Sequence, residues 1–340
     1  MKLSTEQQNA ICFAADGQTV DEIVPMQSLW AGQGELARLR LTCAGTSGTK
    51  SLVVKQIAFT EKGDHPRGWN TQRSVQRKRH SYEVELNWYR QYAGHTTGAG
   101  RESKSARCPA LIYSETSEYG MLLVLEDLAV DYPVRFTAGK DDRPTEVQIK
   151  SCIRWLAQFH AQFLGHSVDG LWPVGGYWHL DTRPDEWQVM PEGELKAAAN
   201  VLDVELASCP YQTLIHGDAK LANFCFDASG ARVAAVDFQY VGRGPGSKDL
   251  MLLLSSVMPD SRLMEEASAL VEYYFEQLST SLQQWQPNID RHSVIAAWRS
   301  LYAISWADFH RFLAGWSPGH WKIGEYCLQQ TEQALLQLRG

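Results

Sequence analysis

The pattern of apolar and polar positions divides this chain into an early region with strand periodicity and a later one with helical periodicity. Residues 23–30, 36–43 and 51–59 read as strands. In the second, Ala37, Leu39 and Leu41 alternate with Arg38, Arg40 and Thr42, so one face is buried and the other wet. Two further strands are expected at 110–114 and 120–125. A helix over 80–92 puts Val84, Trp88, Tyr89 and Tyr92 on one side, and Ser4-Thr5-Glu6-Gln7 can cap a short first helix ending near Ala15. From 144 onward helices dominate. The strongest, 144–164, opens on Pro144 and repeats Ile149, Cys152, Ile153, Leu156, Phe159, His160 and Phe163 at helical spacing. Residues 194–207, 249–257, 265–282 and 290–313 also read as helices, and 172–187 is irregular and aromatic.

The chemistry concentrates in residues 214–237, LIHGDAKLANFCFDASGARVAAVD. Two apolar runs bounded by turn residues read as buried strands. Asp218, Asn223 and Asp237 then fall at loop positions beside strand ends, where a rigid scaffold commonly holds catalytic side chains. His216, Asp218 and Asn223, followed by Asp237-Phe238, fit the H-x-D-x-x-x-x-N … D-F pattern of kinase catalytic loops. Phosphoryl transfer needs hard oxygen ligands for Mg²⁺, a carboxylate to take the attacking hydroxyl's proton, and positive charge on the phosphates. An isolated Asp of this kind would be read as a turn cap. Four matched positions ahead of a strand carry much more information.

HGDAKLAN with VDFQ resembles the aminoglycoside phosphotransferase and choline kinase group, which shares the protein-kinase-like fold. Gln239, standing where protein kinases have Gly, is most similar to the ecdysteroid-kinase-like branch. GPGSKDLMLLL at 244–254 also resembles the segment that follows the metal aspartate in that group. The resemblance implies an α+β, bilobal fold. An N-terminal antiparallel sheet lobe with one main helix (1–127) would bind nucleotide, and a larger helical lobe (128–340) would carry catalysis and acceptor binding. It further implies ATP and Mg²⁺ between the lobes, Asp218 as base, and Asn223 and Asp237 as metal ligands. His216 would support the loop. Lys220 would either reach the γ-phosphate or simply sit in solvent.

Lys55 lies in a strand among aliphatics, where a lysine can also be an edge residue snorkelling to water. The resemblance makes it the phosphate-gripping lysine, with Glu85 as its partner; Glu83 is the rival at a different helical angle, and either could instead lie on a solvated face. Gly32 and Gly34 occupy the position of a phosphate-covering loop, yet without a full GxGxxG an ordinary hairpin turn explains them equally. MLLVLEDL looks like the hinge whose backbone near Glu126 and Leu128 would bind adenine. Residues 60–79 and 95–107 read as loops, the first rich in Lys, Arg and Gly. His160 reads as a core histidine bonded to backbone.

The step from Asp237 to Asp249 is too short for a regulated activation loop that docks peptides, which favours a small-molecule acceptor. Asp249 would anchor the loop to its helix. Trp298, Tyr302 and Trp306 recur at helical spacing with Asp308 beside them. Such a stripe is commonly core. In the family resembled, however, the C-terminal helices wall the acceptor pocket, where aromatics could hold a quaternary amine or a flat apolar acceptor and Asp308 could bind a cation. The acceptor would be an amino alcohol or a sterol-like or other apolar alcohol. The alternatives are an aminoglycoside acceptor and a catalytically silent nucleotide-binding scaffold.

Composition narrows the class. The 340 residues suit one large or two medium domains, and 44% hydrophobic content supplies a substantial core. The 32 Lys and Arg against 39 Asp and Glu leave −7, which argues against nucleic-acid binding. Seven scattered Cys without CxxC spacing fit reduced thiols and a cytoplasmic protein. A monomer or homodimer is expected. No apolar stretch reads as a signal peptide or membrane span.

Overall fold

The computed structural model describes residues 1–29, 32–43, 49–59, 71–95, 106–137 and 143–339. The chain divides into two compact units, Met1–Ala99 with Cys108–Asp131, and Gly100–Arg107 with Tyr132–Gly340.

The first unit is built on a five-stranded antiparallel sheet in the order β1-β2-β3-β5-β4. Its strands are β1 (Gly17–Ser28), β2 (Gly34–Cys43), β3 (Thr49–Ala58), β4 (Leu111–Ser117) and β5 (Gly120–Glu126). The alternation in β2 works as expected: Ala37, Leu39 and Leu41 are fully buried and pack with Leu52, Val54, Leu122 and Val124. Helix α1 (Thr5–Ala14) covers that face with Ile11 and Cys12, and Ser4 and Gln7 close a capping box at its start. Helix α2 (Gln72–Asn87) begins at Gln72, so the end of the expected 60–79 loop is helical; residues 60–70 lie outside the described residues. Its first turns are too polar to show a period, and the start is set by Thr71, whose hydroxyl accepts the Ser74 N–H at 3.2 Å. One π-helical turn, Trp88–Tyr92, continues α2.

The second unit is mainly helical, with two small sheets. β6 (Val134–Arg135), β8 (Phe224–Phe226) and β9 (Val233–Ala235) form one, and β7 (Thr213–Ile215) pairs with β10 (Gly242–Gly244) in the other. Helix α3 (Glu146–Gln162) starts one residue after its cap Thr145, which forms a capping box with Gln148; Pro144 precedes the cap and does not sit in the first turn. The face predicted from α3's spacing is buried, and Trp155 stacks on Phe159 and meets Phe224 edge-on. The short α4 (Pro184–Val189) and α5 (Glu194–Ala197) lead into α6 (Ala199–Ser208). Then come α7 (Ser247–Val257), α8 (Asp260–Trp285), α9 (Arg291–Trp316) and α10 (Glu325–Arg339). No periodicity announces α10, whose buried residues are only Tyr326, Cys327, Thr331 and Ala334. Among the described residues no helix is long and apolar enough to cross a membrane, and Cys12, Cys108, Cys152, Cys209, Cys225 and Cys327 are free and buried.

Two buried polar clusters tie this unit together. Asp249 on α7 is fully buried and accepts three hydrogen bonds: His216 N–H at 2.6 Å, Gly217 N–H at 2.9 Å and His160 Nε2 at 3.1 Å. His160 is therefore a core histidine as expected, but its ring bonds side chains, Asp249 and the Tyr274 hydroxyl at 2.8 Å, and not backbone. The second cluster centres on Asp308 of α9. Its Oδ2 accepts Trp178 Nε1–H at 2.9 Å and its Oδ1 accepts Arg311 at 2.7 Å, while Arg311 also donates to the Trp178 carbonyl at 3.0 Å. Lys248 Nζ donates to Gly175 O at 3.1 Å and lies over the Trp178 ring. The aromatic segment before α4 is thus fixed by charge as well as packing.

Removing one member of such a buried ion pair strands the other. Asp308→Ala is expected to cost about 3–5 kcal/mol in urea unfolding of the full chain, and Asp308→Leu combined with Arg311→Leu is expected to cost less than the single change. Burial alone would raise the Asp249 carboxyl, but the bond and charge from His160, with help from His216 and Gly217, hold it below the usual carboxylate range. Its contribution is therefore present above the unfolded value of about 3.9 and is lost as pH falls through the lower folded value. Asp249→Asn is expected to lower stability at pH 7 by about 3 kcal/mol and to flatten the loss of stability below pH ~4, read by denaturant midpoints across pH.

Candidate active site

β7 delivers the chain into the loop at His216-Gly217-Asp218. Gly217 has φ of 74°, and a Cβ there would stand 2.1 Å from the Tyr240 carbonyl oxygen, so only glycine allows the loop to pass. His216 is fully buried, its Nε2 lies 3.1 Å from Val236 O, and its Nδ1 faces the Asp218 N–H at 3.3 Å. Both ring nitrogens of His216 are thus engaged within the loop and its neighbouring strand.

Asp218 is 5% exposed, and its two oxygens differ. Oδ2 accepts Lys220 Nζ at 2.7 Å and Asn223 Nδ2 at 3.0 Å, which fixes the carboxylate's rotation. Oδ1 is buried without a hydrogen-bond partner among the described residues. Such an oxygen costs free energy unless a ligand satisfies it. Burial opposes the charge on Lys220, but the carboxylates of Asp218 and Asp237 outweigh it and hold the ammonium above its ordinary range.

Asn223 also donates to the Asp218 carbonyl at 2.8 Å, and its own carbonyl accepts the Val236 N–H at 2.9 Å. That bond extends the β8–β9 ladder and sets Asn223 next to Asp237. Asp237 has φ of 69°, a left-handed conformation that a non-glycine residue adopts at a cost and that clusters at functional sites. Its Oδ1 accepts Gln239 Nε2 at 2.6 Å. Among the described residues no three His, Cys, Asp or Glu converge as an all-protein metal site. Asn223 and Asp237 still fit Mg²⁺, which takes one or two protein oxygens and completes its shell with phosphate oxygens and water.

In the first unit, Lys55 on β3 is buried and donates to Glu85 Oε2 on α2 at 2.5 Å. Glu83 instead lies on the exposed face with Arg79 and His80. Gly32 donates its N–H to Leu29 O at 3.2 Å, so that donor is spent inside the β1–β2 turn; Trp30 and Ala31 lie outside the described residues. Gly34 is explained by packing, since a Cβ there would stand 2.0 Å from Gln56 O on β3. Glu126 ends β5 and exchanges bonds with Ala110, while Leu128 is buried. Between them Asp127, which sequence reasoning missed, accepts Arg38 Nε at 2.6 Å and Ser51 Oγ at 2.5 Å, and this outweighs burial to hold its carboxyl low.

The four expected acceptor residues are internal to the helical unit. Trp298 is fully buried and donates to Tyr211 O, and Trp306 is fully buried. Tyr302 meets the Tyr326 hydroxyl at 3.4 Å, and Asp308 is taken by Trp178 and Arg311. The core reading of the stripe is therefore the one the structure supports, and Asp308 has no oxygen to spare for a cationic acceptor. Two further residues sense Asp218: Tyr177, inside the irregular aromatic stretch 172–187, and Lys322, which the sequence did not single out. Burial, then the Asp218 charge, pushes the Tyr177 hydroxyl well above its ordinary range, and Lys322, between α9 and α10, feels both Asp218 and Lys220. A lone lysine in the aromatic, carboxylate-poor stretch 316–324 is the signal that could have found it. A surface recess of about 200 Å³ lined by Leu282, Gln286, Ile289 and His292 shares no residue with this loop.

A family model described as "Phosphotransferase enzyme family" matches residues 46–287, more than half of the chain. No curated protein matches it. Among solved structures, an aminoglycoside-3'-phosphotransferase of type VIII is 16% identical with a TM-score of 0.43, over 85% of this chain and 93% of that one. A Plasmodium vivax ethanolamine kinase is 12% identical with a TM-score of 0.48, over 93% of this chain and 82% of that one. The two solved structures are distant, whereas the family match spans both the lysine strand and the whole Asp218–Asp237 loop. This chain belongs to the phosphotransferase enzyme family.

Proposed function

We propose that this chain is an ATP- and Mg²⁺-dependent small-molecule kinase that transfers the γ-phosphate of ATP to a hydroxyl of a small acceptor. The observation that carries the reading is the asymmetry of Asp218: Oδ2 is fixed by Lys220 and Asn223, and the buried Oδ1 has no partner among the described residues. An acceptor hydroxyl donating to Oδ1 would satisfy that oxygen and be oriented for in-line attack. As the new O–P bond forms, the hydroxyl proton passes to Asp218 and the electrons of the breaking Pγ–O bond go to the ADP oxygen. Lys220 counters negative charge beside the transferring group, and Lys55, held by Glu85, grips the nucleotide phosphates. Asn223 and Asp237 would hold Mg²⁺, which when bound neutralises charge on the phosphate oxygens. His216 and Asp249 keep the loop in place without touching substrate.

The connection from Asp237 to α7 supports a small acceptor. It is spent in structure: Trp172 Nε1 donates to Gln239 O at 2.8 Å, Gly176 N–H donates to Tyr240 O at 3.1 Å, and β10 pairs with β7. No part of it is left as a docking strand for a peptide. A silent scaffold is disfavoured, because the strained Asp237 and the orphaned Asp218 oxygen are costs without a benefit in a chain that does no chemistry.

Two outcomes test this reading. Asp218→Asn is expected to lower acceptor-dependent ADP release by ~10²–10⁴-fold while ATP binding, read by calorimetry, stays within about threefold. Lys55→Met made together with Glu85→Gln, so that no buried carboxylate is stranded, is expected to lower kcat/KM for ATP by ~10²-fold or more at unchanged far-UV circular dichroism. ADP release that survives Asp218→Asn would contradict the proposed role of that residue.

A further inference from the structure

The proposed kinase reading leaves the acceptor open, and the helical unit carries one charge that this reading does not use. Lys322 sits in the connection between α9 and α10. Its Nζ donates to Ser255 Oγ at 3.1 Å and lies 5.5 Å from the ring centres of Phe309 and Trp321. No carboxylate pairs with it among the described residues. Ser256, the neighbour of that serine, accepts the N–H of Leu221 in the catalytic loop at 2.9 Å, so Lys322 and the loop hang on the same turn of α7. Phe309 packs against Tyr177 and Trp178, and Tyr177 packs against Tyr240, whose carbonyl sits against Gly217. Lys322 thus shares with Asp218 a region walled by aromatic rings.

Lys322 is partly buried, so its charge carries a desolvation cost. Burial pulls it down to about 8 despite the opposing Asp218 charge. The buried arginines of this unit are paired with carboxylates, Arg311 with Asp308 and Arg183 with Glu186. Lys322 departs from that pattern, and an anionic group arriving with the substrate would complete it.

We propose that Lys322 is a specificity-determining residue of the acceptor site, and that the acceptor is a flat apolar alcohol bearing an anionic group such as a carboxylate. The inference rests on the kinase reading above. It predicts discrimination against polycationic acceptors, for which Lys322 and Lys220 would be repulsive neighbours and Asp308 would offer no free oxygen.

The test compares 4-(hydroxymethyl)benzoate, its amide and the matching benzylamine as acceptors with Mg²⁺-ATP, in the wild type, Lys322→Met and Lys322→Glu. Wild type is expected to favour the carboxylate over the amide by ~10-fold or more and over the amine by more still. The preference over the amide should collapse in Lys322→Met chiefly through KM, and Lys322→Glu should turn the order toward the amine. Lys322→Met is also expected to raise the melting temperature, since a partly buried charge without a carboxylate partner is removed; a merely structural lysine bonded to Ser255 would lower it. A second readout does not depend on turnover. Acylation of Lys322 at pH 8, mapped by peptide mass spectrometry, should be blocked by 10 mM of the carboxylate and not by the amine. Equal protection, no acylation, or a preference unchanged in Lys322→Met would overturn the proposal. Loss of ATP binding, by contrast, would overturn the kinase reading itself, which separates the two failures.

Discussion

The carboxylate of Asp249 is the constraint on which the rest of the second unit depends. It is fully buried, yet it stays charged because three donors converge on it. Two are the backbone amides that open the catalytic loop, and the third is the His160 imidazole on α3. One side chain therefore fixes α7, α3 and the loop to each other. Gly217 permits the tight passage that brings both amides to the same acceptor, and His216 repeats the logic one step outward by joining the loop to β9. What emerges is a loop whose backbone has no freedom, so that the side chains of Asp218 and Asn223 are held without a ligand being present.

The energetics of the site are those of a structure that keeps unfavourable features in place. Asp218 holds an unsatisfied oxygen, and Asp237 sits at positive φ. A scaffold fixed elsewhere can hold such features where a free loop would relax them. The first unit shows the same economy on a smaller scale, with Lys55 and Glu85 buried as a pair and Asp127 clamped by Arg38 and Ser51.

Much of this was legible in the sequence, for physical reasons that differ by element. Strand β2 announced itself by alternation, and α3 by its apolar period, because one face of each is buried. The loop was legible because His216, Asp218, Asn223 and Asp237 stand at the spacing of kinase loops, and the structure brings the first three into one hydrogen-bonded loop with Asp237 at its edge. Helix α2 was called eight positions late, at His80 and not Gln72, since its first turns are polar and only Thr71 marks the start. Asp308 was misjudged because a carboxylate beside aromatics looks identical in sequence whether it faces a ligand or an arginine. Its partner Arg311, one turn away on α9, was the available clue. Lys322 was overlooked because its only mark in the sequence is the lack of carboxylates around it in the aromatic stretch 316–324.

The most direct test of the central claim is a crystal structure of the chain with Mg²⁺ and a non-hydrolysable ATP analogue. The account predicts the metal bound by Asn223 and Asp237 oxygens together with phosphate oxygens, with Asp218 Oδ1 facing the γ-phosphate side and not ligating the metal. Phosphates bound away from this loop, or Asp218 serving as a metal ligand in place of Asn223, would contradict it.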